Sequence, residues 1–270
     1  MKEPDAKQPD VKSNIEWRWW GEVDPYYGVS SLDGKGRAGR SPWTDEEFYG
    51  KRNDQEWADF LRRWEQYGVS RNCCVEIGCG AGRMTRRLAS YFEMVQAFDV
   101  SDKMIERAKM ACDPNKVNFH VTDGATLRLP DSSASAAFST IVFQHFDNPE
   151  IALRYFSELA RVLVSGGTMM INLPVHVWPD VPLIRGLKTF YAAGRTISWA
   201  KAAFRRRILR SSLARTRIGK RLGAHMHCTS YEFVWLAKEL SNLGFGNIEI
   251  HSFYVPTEER YHPFVFARRI

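Results

Sequence analysis

Short apolar runs alternate with amphipathic stretches along the middle of the chain. The apolar runs predict five β-strands, at about 73–77, 94–98, 117–121, 136–143 and 168–173. Helical spacing of apolar positions between them predicts helices at about 81–91, 101–111 and 149–163. Strands that alternate with helices in this way pair in parallel beneath helices on both faces. The pattern therefore predicts a doubly wound α/β fold.

The flanking segments complete this prediction. Apolar spacing over 46–67 predicts one or two amphipathic helices before the first strand. A helix at 229–243 and strands at 248–254 and 264–267 would bring the sheet to seven mostly parallel strands. We expect four parts: an aromatic N-terminal segment (1–50), partly disordered and suited to act as a lid; a core (51–175); a basic helical insertion (176–228); and a C-terminal unit (229–270) that completes the sheet.

Composition narrows the class of protein. The 270 residues contain no apolar run near the roughly 20 residues that span a bilayer, and the first twelve residues are polar, unlike a signal peptide. A cytoplasmic protein is the expectation. The five cysteines are odd in number and lack metal-binding spacing, which indicates reduced structural thiols.

The net charge of +7 is concentrated in one segment. Twelve of the 38 Lys and Arg residues lie between Asp180 and Glu232, with no acidic residue among them. Over 183–213 the apolar residues fall on one face of a predicted helix, and arginines occupy the others. The basicity thus belongs to the predicted insertion.

Three glycines, Gly78, Gly80 and Gly82, stand between the first strand and its helix, where they let the backbone approach a ligand. Such a turn also serves dinucleotides or structure alone. Asp99 ends the second strand, where a carboxylate can accept hydrogen bonds from ribose hydroxyls. Asp123 and Gly124 follow the third strand, a position that suits an adenine edge. That last pair is not part of the dinucleotide pattern.

With these residues the sequence resembles the class I S-adenosylmethionine-dependent methyltransferases, in particular the group labelled type 11. The resemblance is carried, in the family's order and spacing, by VEIGCGAGRMT (75–85), FDVSDKMIERAK (98–109), VTDGATLRLPDSSASAAFSTIVFQHF (121–146) and ELARVLVSGGTMMINLP (158–174). It covers roughly residues 73–174. It implies a Rossmann-like methyltransferase fold, S-adenosylmethionine as cofactor and a methyltransferase activity.

The resemblance also implies where the cofactor binds. The glycines would line the methionine and ribose portion, the carboxylates would hold the amino group and the ribose, apolar side chains would sandwich the adenine, and the loop after the third strand would meet its edge. The implied residues are Glu76, Gly78, Gly80, Gly82, Asp99, Val100, Met104, Asp123, Gly124 and Phe143.

His145 is the candidate general base. Methyl transfer depends chiefly on positioning, but an alcohol acceptor must lose a proton, and a neutral histidine suits that task. His145 follows the fourth strand, at the carboxyl edge where acceptor and methyl group would meet. A structural role, in which it bonds only to backbone, is the alternative. Weaker candidates are Asp147, His176, His225 and His227.

Two further chemistries are weighed at this edge. His225 and His227 alternate as metal ligands on a strand could, but no third ligand lies nearby in sequence, so a divalent metal is not predicted. Enzymes that methylate nucleobase amines commonly carry an Asn- or Asp-Pro-Pro-aromatic motif after the fourth strand, which residues 143–146 do not match. Amine methylation of a base is disfavoured.

The leading hypothesis is an O-methyltransferase that acts on a hydroxyl of a small molecule, sugar or glycan. Residues 176–228 would form the acceptor site, covered by the aromatic segment. The predicted acceptor-contacting residues are Trp19, Trp20, Tyr26, Tyr27 and His227. Alternatives are a lipid-linked acceptor reached at an anionic membrane surface through 183–221, and, less favoured, an RNA-binding module. A solvated helical pair remains the simplest reading of the insertion.

Overall fold

A computed structural model describes residues 13–29, 43–50, 54–177, 207, 228–255 and 260–270. Its helices are α1 (Ser13–Val23), α2 (Pro25–Val29), α3 (Asp45–Tyr49), α4 (Asp54–Tyr67), α5 (Thr85–Tyr91), α6 (Asp102–Ala111), α7 (Pro149–Val162) and α8 (Phe233–Asn242). Its strands are β1 (Cys73–Ile77), β2 (Met94–Asp99), β3 (Val117–Val121), β4 (Ala134–Ser139), β5 (Leu163–Asn172), β6 (Val175–His176), β7 (Tyr231–Glu232), β8 (Phe245–Val255) and β9 (Arg260–Arg269). No described helix is long and apolar enough to cross a membrane.

Seven strands form one sheet in the order β3-β2-β1-β4-β5-β9-β8. The first five are parallel, and β9 runs antiparallel to both β5 and β8. The chain crosses from β3 over β2 and β1 to begin β4, so the strand order reverses beside β1. In open α/β sheets a ligand crevice lies outside the carboxyl ends of the strands at such a point. The predicted fold class, a doubly wound and mostly parallel seven-stranded sheet, is confirmed.

Two apolar layers cover the sheet because successive strand residues point to opposite faces. Val75 packs with α7 and α8, whereas its neighbour Cys74 packs with α4 and α5. Met169 and Met170 divide between the same two layers. Every residue of β4 is buried, as expected for a central strand covered on both sides.

The boundaries after β1 and β4 differ from the sequence prediction. The first crossover helix was predicted from about residue 81, but α5 begins at Thr85 because the glycine turn extends to that point. The fourth strand was predicted over 136–143, but β4 ends at Ser139. Ile141 adopts a φ of 57°, its N–H donates to Oδ1 of Asn172, and a short 3-10 helix follows over Phe143–His145. Both departures lie at the carboxyl edge of the sheet.

The aromatic N-terminal segment packs on the core where it is described. Gly21 of α1 lies against Ser101, since a Cβ there would come within 2.1 Å of the Ser101 hydroxyl. Gly28 of α2 lies against Met104 of α6. Residues 1–12 and 30–42, and nearly all of the basic insertion, lie outside the described residues. Their predicted disorder and lid role stay predictions.

Helix α4 is fixed to the sheet through a buried hydrogen bond. Trp64 and Thr168 are both fully buried, and the Trp64 indole N–H donates to the Thr168 hydroxyl over 3.0 Å. Thr168→Val keeps the side-chain shape but leaves the indole N–H unsatisfied. We expect the free energy of unfolding to fall by about 2 kcal/mol in chemical denaturation.

The control is the same change in a Trp64→Phe background, where no donor remains to be stranded. Thr168→Val should then change the free energy of unfolding by less than about 0.5 kcal/mol. Equal costs in both backgrounds would contradict a role for this hydrogen bond.

Candidate active site

A cavity opens at the carboxyl edge of the sheet, beside the end of β1. Its empty space, which includes open solvent, is about 880 Å³. Strand ends, the glycine turn and the N-terminal helices all contribute walls. The lining residues are Ser13, Asn14, Trp17, Gly28, Val29, Glu76, Ile77, Gly78, Cys79, Gly80, Arg83, Met84, Phe98, Asp99, Val100, Met104, Thr122, Thr140, Ile141, Val142, Phe146 and Tyr155.

The glycine turn forms the floor at β1. Gly78 has a φ of 74°, a region that side chains disfavour, and a Cβ there would lie 2.3 Å from Val142. The backbone N–H groups of Gly78 and Cys79 both donate to the carbonyl of Phe98. Gly82 does not line the cavity, because it packs against Ala108 of α6. Its role is close packing between turn and helix.

Glu76 is the buried carboxyl of the cavity. It is 2% exposed, and its Oε2 atom has no hydrogen-bond partner among the described residues. Burial raises its pKa to about 8; the Thr85 hydroxyl offsets part of that rise, and the charge of Asp99 adds to it. An unsatisfied carboxyl oxygen at a cavity wall suits a cationic or hydrogen-donating ligand.

Asp99 lies across the turn from Glu76. Its two carboxylate oxygens accept from the N–H of Gly80 over 2.8 Å and from the N–H of Ser101 over 2.9 Å. Exclusion of water raises its pKa to about 6, although these backbone donors lower it. Each oxygen can accept a second hydrogen bond. Asp99 therefore both shapes the turn and presents acceptors to the cavity that it lines.

Asp123 is placed differently from the prediction. Its carboxylate accepts from the N–H groups of Ala125 and Thr126 and from the Thr126 hydroxyl, and it does not line the cavity. Partial burial would raise its pKa, but these donors outweigh burial and hold the pKa below its usual value. The side chain shapes its own loop. Gly124 beside it is buried and is covered by Asn14.

Trp17 is the aromatic residue of α1 that lines the cavity. The predicted acceptor contacts Trp19, Trp20 and Tyr26 instead belong to a separate buried cluster with Phe48. They do not line the cavity. A helix presents different faces at successive positions, and the sequence did not show which face meets the sheet. The side chain of Tyr27 and all of His227 lie outside the described residues.

The loop after β4 carries His145, which is 6% exposed and does not itself line the cavity. Its ring lies 4.9 Å from that of Trp17, centroid to centroid, and its Nε2 atom is 3.2 Å from the Gln144 amide nitrogen. Phe143, predicted to contact the cofactor, is fully buried in the core behind this loop.

Several cavity residues were missed by the sequence analysis: Asn14, Trp17, Arg83 and Tyr155. Arg83 directly follows the glycine motif, so its position was available as a signal. Asn14 and Trp17 precede β1 by some sixty residues, and Tyr155 lies within a helix. No local pattern connects these three with the sheet edge.

Residues that follow the basic insertion also form hydrogen bonds with the loop that carries His145. The Tyr231 hydroxyl donates to the carbonyl of Phe143 over 2.6 Å, and the Thr229 hydroxyl donates to the carbonyl of Phe146 over 2.8 Å. Tyr231 is fully buried. The C-terminal unit therefore fixes the loop as well as completing the sheet.

Comparison with known proteins gives partial sequence matches. Residues 75–171 match the family model described as a methyltransferase domain. The chain is 30% identical over 109 residues to the biotin biosynthesis bifunctional protein BioHC of Teredinibacter turnerae, covering 36% of this chain and 19% of that protein. It is 27% identical over 99 residues to an uncharacterized methyltransferase of Mycobacterium tuberculosis, covering 37% and 49%. The chain thus spans less than half the length of either relative.

Solved structures share the fold at low identity. The magnesium protoporphyrin IX methyltransferase of Synechocystis PCC 6803 superposes with a TM-score of 0.57 at 15% identity, covering 96% of this chain and 100% of that one. A methyltransferase of Methanosarcina mazei gives a TM-score of 0.52 at 18% identity, covering 77% and 97%. Residues 75–171 thus match a methyltransferase domain, and the chain as a whole shares the fold of these solved methyltransferases.

Proposed function

We propose that this protein is an O-methyltransferase that uses S-adenosylmethionine to methylate a hydroxyl of a small molecule. The observation that carries the proposal is the position of His145, next to the cavity walls formed by Trp17 and Phe146. A neutral imidazole at the carboxyl edge of β4 is suited to take the proton of an alcohol. S-adenosylmethionine, when bound, supplies an activated methyl group.

The residues of the cavity fit the cofactor. Glu76 offers to the ammonium of the methionine portion a carboxyl oxygen to which no described residue donates. Arg83, buried in the same wall, is suited to the methionine carboxylate. Asp99 would accept from the ribose hydroxyls, and Val100 and Met104 offer apolar surface to the adenine. Gly78 and Gly80 would meet the ligand with backbone alone.

The acceptor would bind on the side of the cavity lined by Trp17, Ile141, Val142 and Phe146. This lining is apolar and partly aromatic, and so favours an acceptor with an apolar or aromatic face. A sugar or glycan, the alternative, would stack on Trp17 and not on the predicted Trp19, Trp20 and Tyr26, which are buried outside the cavity lining. Residues 176–228 would close this side as a basic lid. That segment also keeps the membrane and RNA hypotheses open.

His145 would reach the acceptor beside Trp17. In this arrangement an imidazole nitrogen of His145 would accept the proton that the hydroxyl gives up as its oxygen takes the methyl group, and S-adenosylhomocysteine would leave. Amine acceptors are the competing chemistry, since the phosphoethanolamine N-methyltransferase 2 of Haemonchus contortus shares the fold with a TM-score of 0.52 at 16% identity, covering 79% of this chain and 52% of that one. A neutral amine attacks through its lone pair without first losing a proton, whereas an alcohol is a weak nucleophile until it is deprotonated, so an amine depends less on a base.

The pH dependence of stability in the cofactor-free protein tests whether Glu76 is a buried carboxyl. Its folded pKa of about 8 exceeds the unfolded value near 4.5, so ionisation penalises the folded state increasingly from about pH 4.5 to 8. Glu76→Gln removes this penalty. We expect its thermal midpoint to exceed that of the parent protein by about 5 °C at pH 8.5, with the difference closing near pH 5.

Exposed Glu93 supplies the control, because Glu93→Gln should give a curve parallel to that of the parent. Glu76→Gln should also bind S-adenosylmethionine at least about tenfold more weakly at pH 8, through loss of the charge that faces the ammonium. Parallel melting curves for Glu76→Gln and the parent would refute the buried-carboxyl interpretation.

Substitution of His145 tests its role as the general base. Phenols, catechols, sugars and amines are screened as acceptors by release of S-adenosylhomocysteine, and His145→Asn is assayed on the best hydroxyl acceptor. We expect kcat to fall by at least about 100-fold, with unchanged cofactor affinity and loss of the pH dependence assigned to the imidazole.

His120→Asn serves as the matched control, since His120 lies on β3 against Phe98 and Gln96, outside the cavity lining. It should retain activity. A kcat for His145→Asn within about twofold of the parent would remove His145 from the mechanism, and turnover of amines alone would contradict the hydroxyl acceptor.

A further inference from the structure

Asn14, in the first turn of α1, is a buried polar residue that lines the cavity. It is 4% exposed, and its Nδ2 atom donates to the backbone carbonyl of Asp123 over 2.7 Å. A carbonyl oxygen can only accept, so the amide nitrogen must face Asp123. The Oδ1 atom therefore faces another way, and it accepts no hydrogen bond from the described residues.

The amide lies flat on the loop after β3. A Cβ on Gly124 would come within 2.6 Å of Nδ2 and 2.8 Å of Oδ1 of Asn14. This contact requires glycine at position 124 and fixes the plane of the amide. The free Oδ1 and the second hydrogen of Nδ2 are thereby held beside the loop where an adenine edge was expected.

The carboxylate expected to read that edge faces its own loop instead. Its oxygens accept from the following turn, through Ala125 and Thr126, and Asp123 does not line the cavity. Asn14 is the side chain that places an unused acceptor and an unused donor at the same location.

We propose that Asn14 determines specificity for the adenine of the cofactor, an inference that rests on the proposed function. Its Oδ1 atom accepts a hydrogen bond from the 6-amino group, and its second amide hydrogen is directed to an adjacent ring nitrogen. Asparagine pairs with adenine through this combination because the amide presents an acceptor and a donor side by side. A base with oxygen at position 6 presents an acceptor to Oδ1 instead.

Two contacts hold Asn14 in place. The N–H of Ser13 donates to Oδ2 of Asp147 over 2.8 Å, and Nε of Arg18 donates to the carbonyl of Val100 over 3.2 Å. These contacts fix the first turns of α1 on the sheet edge. The adenine is therefore recognised by an N-terminal helix as well as by the sheet loops.

The test measures affinity for S-adenosylhomocysteine and for S-inosylhomocysteine, which carries oxygen in place of the 6-amino group. The parent protein is expected to prefer the adenine ligand by about 30-fold. Asn14→Leu, of similar size without a hydrogen-bonding group, and Asn14→Ala should both lower the preference to within about threefold. Both should bind S-adenosylhomocysteine about tenfold more weakly.

Two variants separate base recognition from helix docking. Asn14→Asp keeps the acceptor and should keep the preference for adenine, although its lost donor weakens binding overall. Arg18→Ala removes a contact between α1 and the sheet edge that does not involve the base. It should weaken the binding of both ligands equally and leave the preference for adenine unchanged. Thermal melting confirms that each variant is folded.

A preference that survives in Asn14→Leu and Asn14→Ala, while S-adenosylhomocysteine still binds, overturns the role of Asn14 and leaves the proposed function standing. Failure of the folded parent protein to bind S-adenosylhomocysteine overturns both. If Arg18→Ala lost the preference for adenine as fully as the Asn14 variants, this would also contradict the inference, because discrimination would then depend on docking of the helix.

Discussion

The glycine turn after β1, which is hydrogen-bonded to the end of β2, is the constraint on which the site depends. The Phe98 carbonyl accepts from two successive N–H groups of the glycine turn, and Asp99 accepts from a third. These bonds bend the chain away from β1 at once, which leaves a cavity where a helix would otherwise begin. Glu76 is buried at the wall of this cavity as a consequence, and one of its oxygens has no hydrogen-bond partner within the described part of the chain. Burial of this carboxyl is unfavourable in the free protein, and a cationic or hydrogen-donating ligand would satisfy it.

The second organising feature is the N-terminal segment, which contacts the loop after each of the first four parallel strands. Each contact is a hydrogen bond to the edge of the sheet, and together they cover the cavity from one side. The pairs are Tyr49 with Ala81, Arg18 with Val100, Asn14 with Asp123, and Ser13 with Asp147. Loops that contact a ligand are usually free to vary. Here they share one structural partner, so binding and N-terminal packing are coupled.

The sequence predicted what is encoded locally. The alternation of strands and helices, the glycine turn and the place of Asp99 follow from apolar periodicity and a short motif, and the structure contains them. The sequence could not show which way the side chains of Phe143, Asp123 and Trp19 turn: Phe143 fills the core, Asp123 accepts within its own loop, and Trp19 packs in the cluster of Phe48. None of the three lines the cavity, and their contacts with a cofactor or acceptor stay predictions. Asn14 is recognisable only once α1 lies on the sheet, because no local signal relates it to a strand some sixty residues later.

The central claim, that the sheet edge binds S-adenosylmethionine, is tested most directly by calorimetric titration of the folded protein with that cofactor and, separately, with NAD. The account predicts micromolar binding of S-adenosylmethionine, with about one molecule per chain, and no measurable binding of NAD. Binding of NAD, or of neither ligand, would contradict the claim.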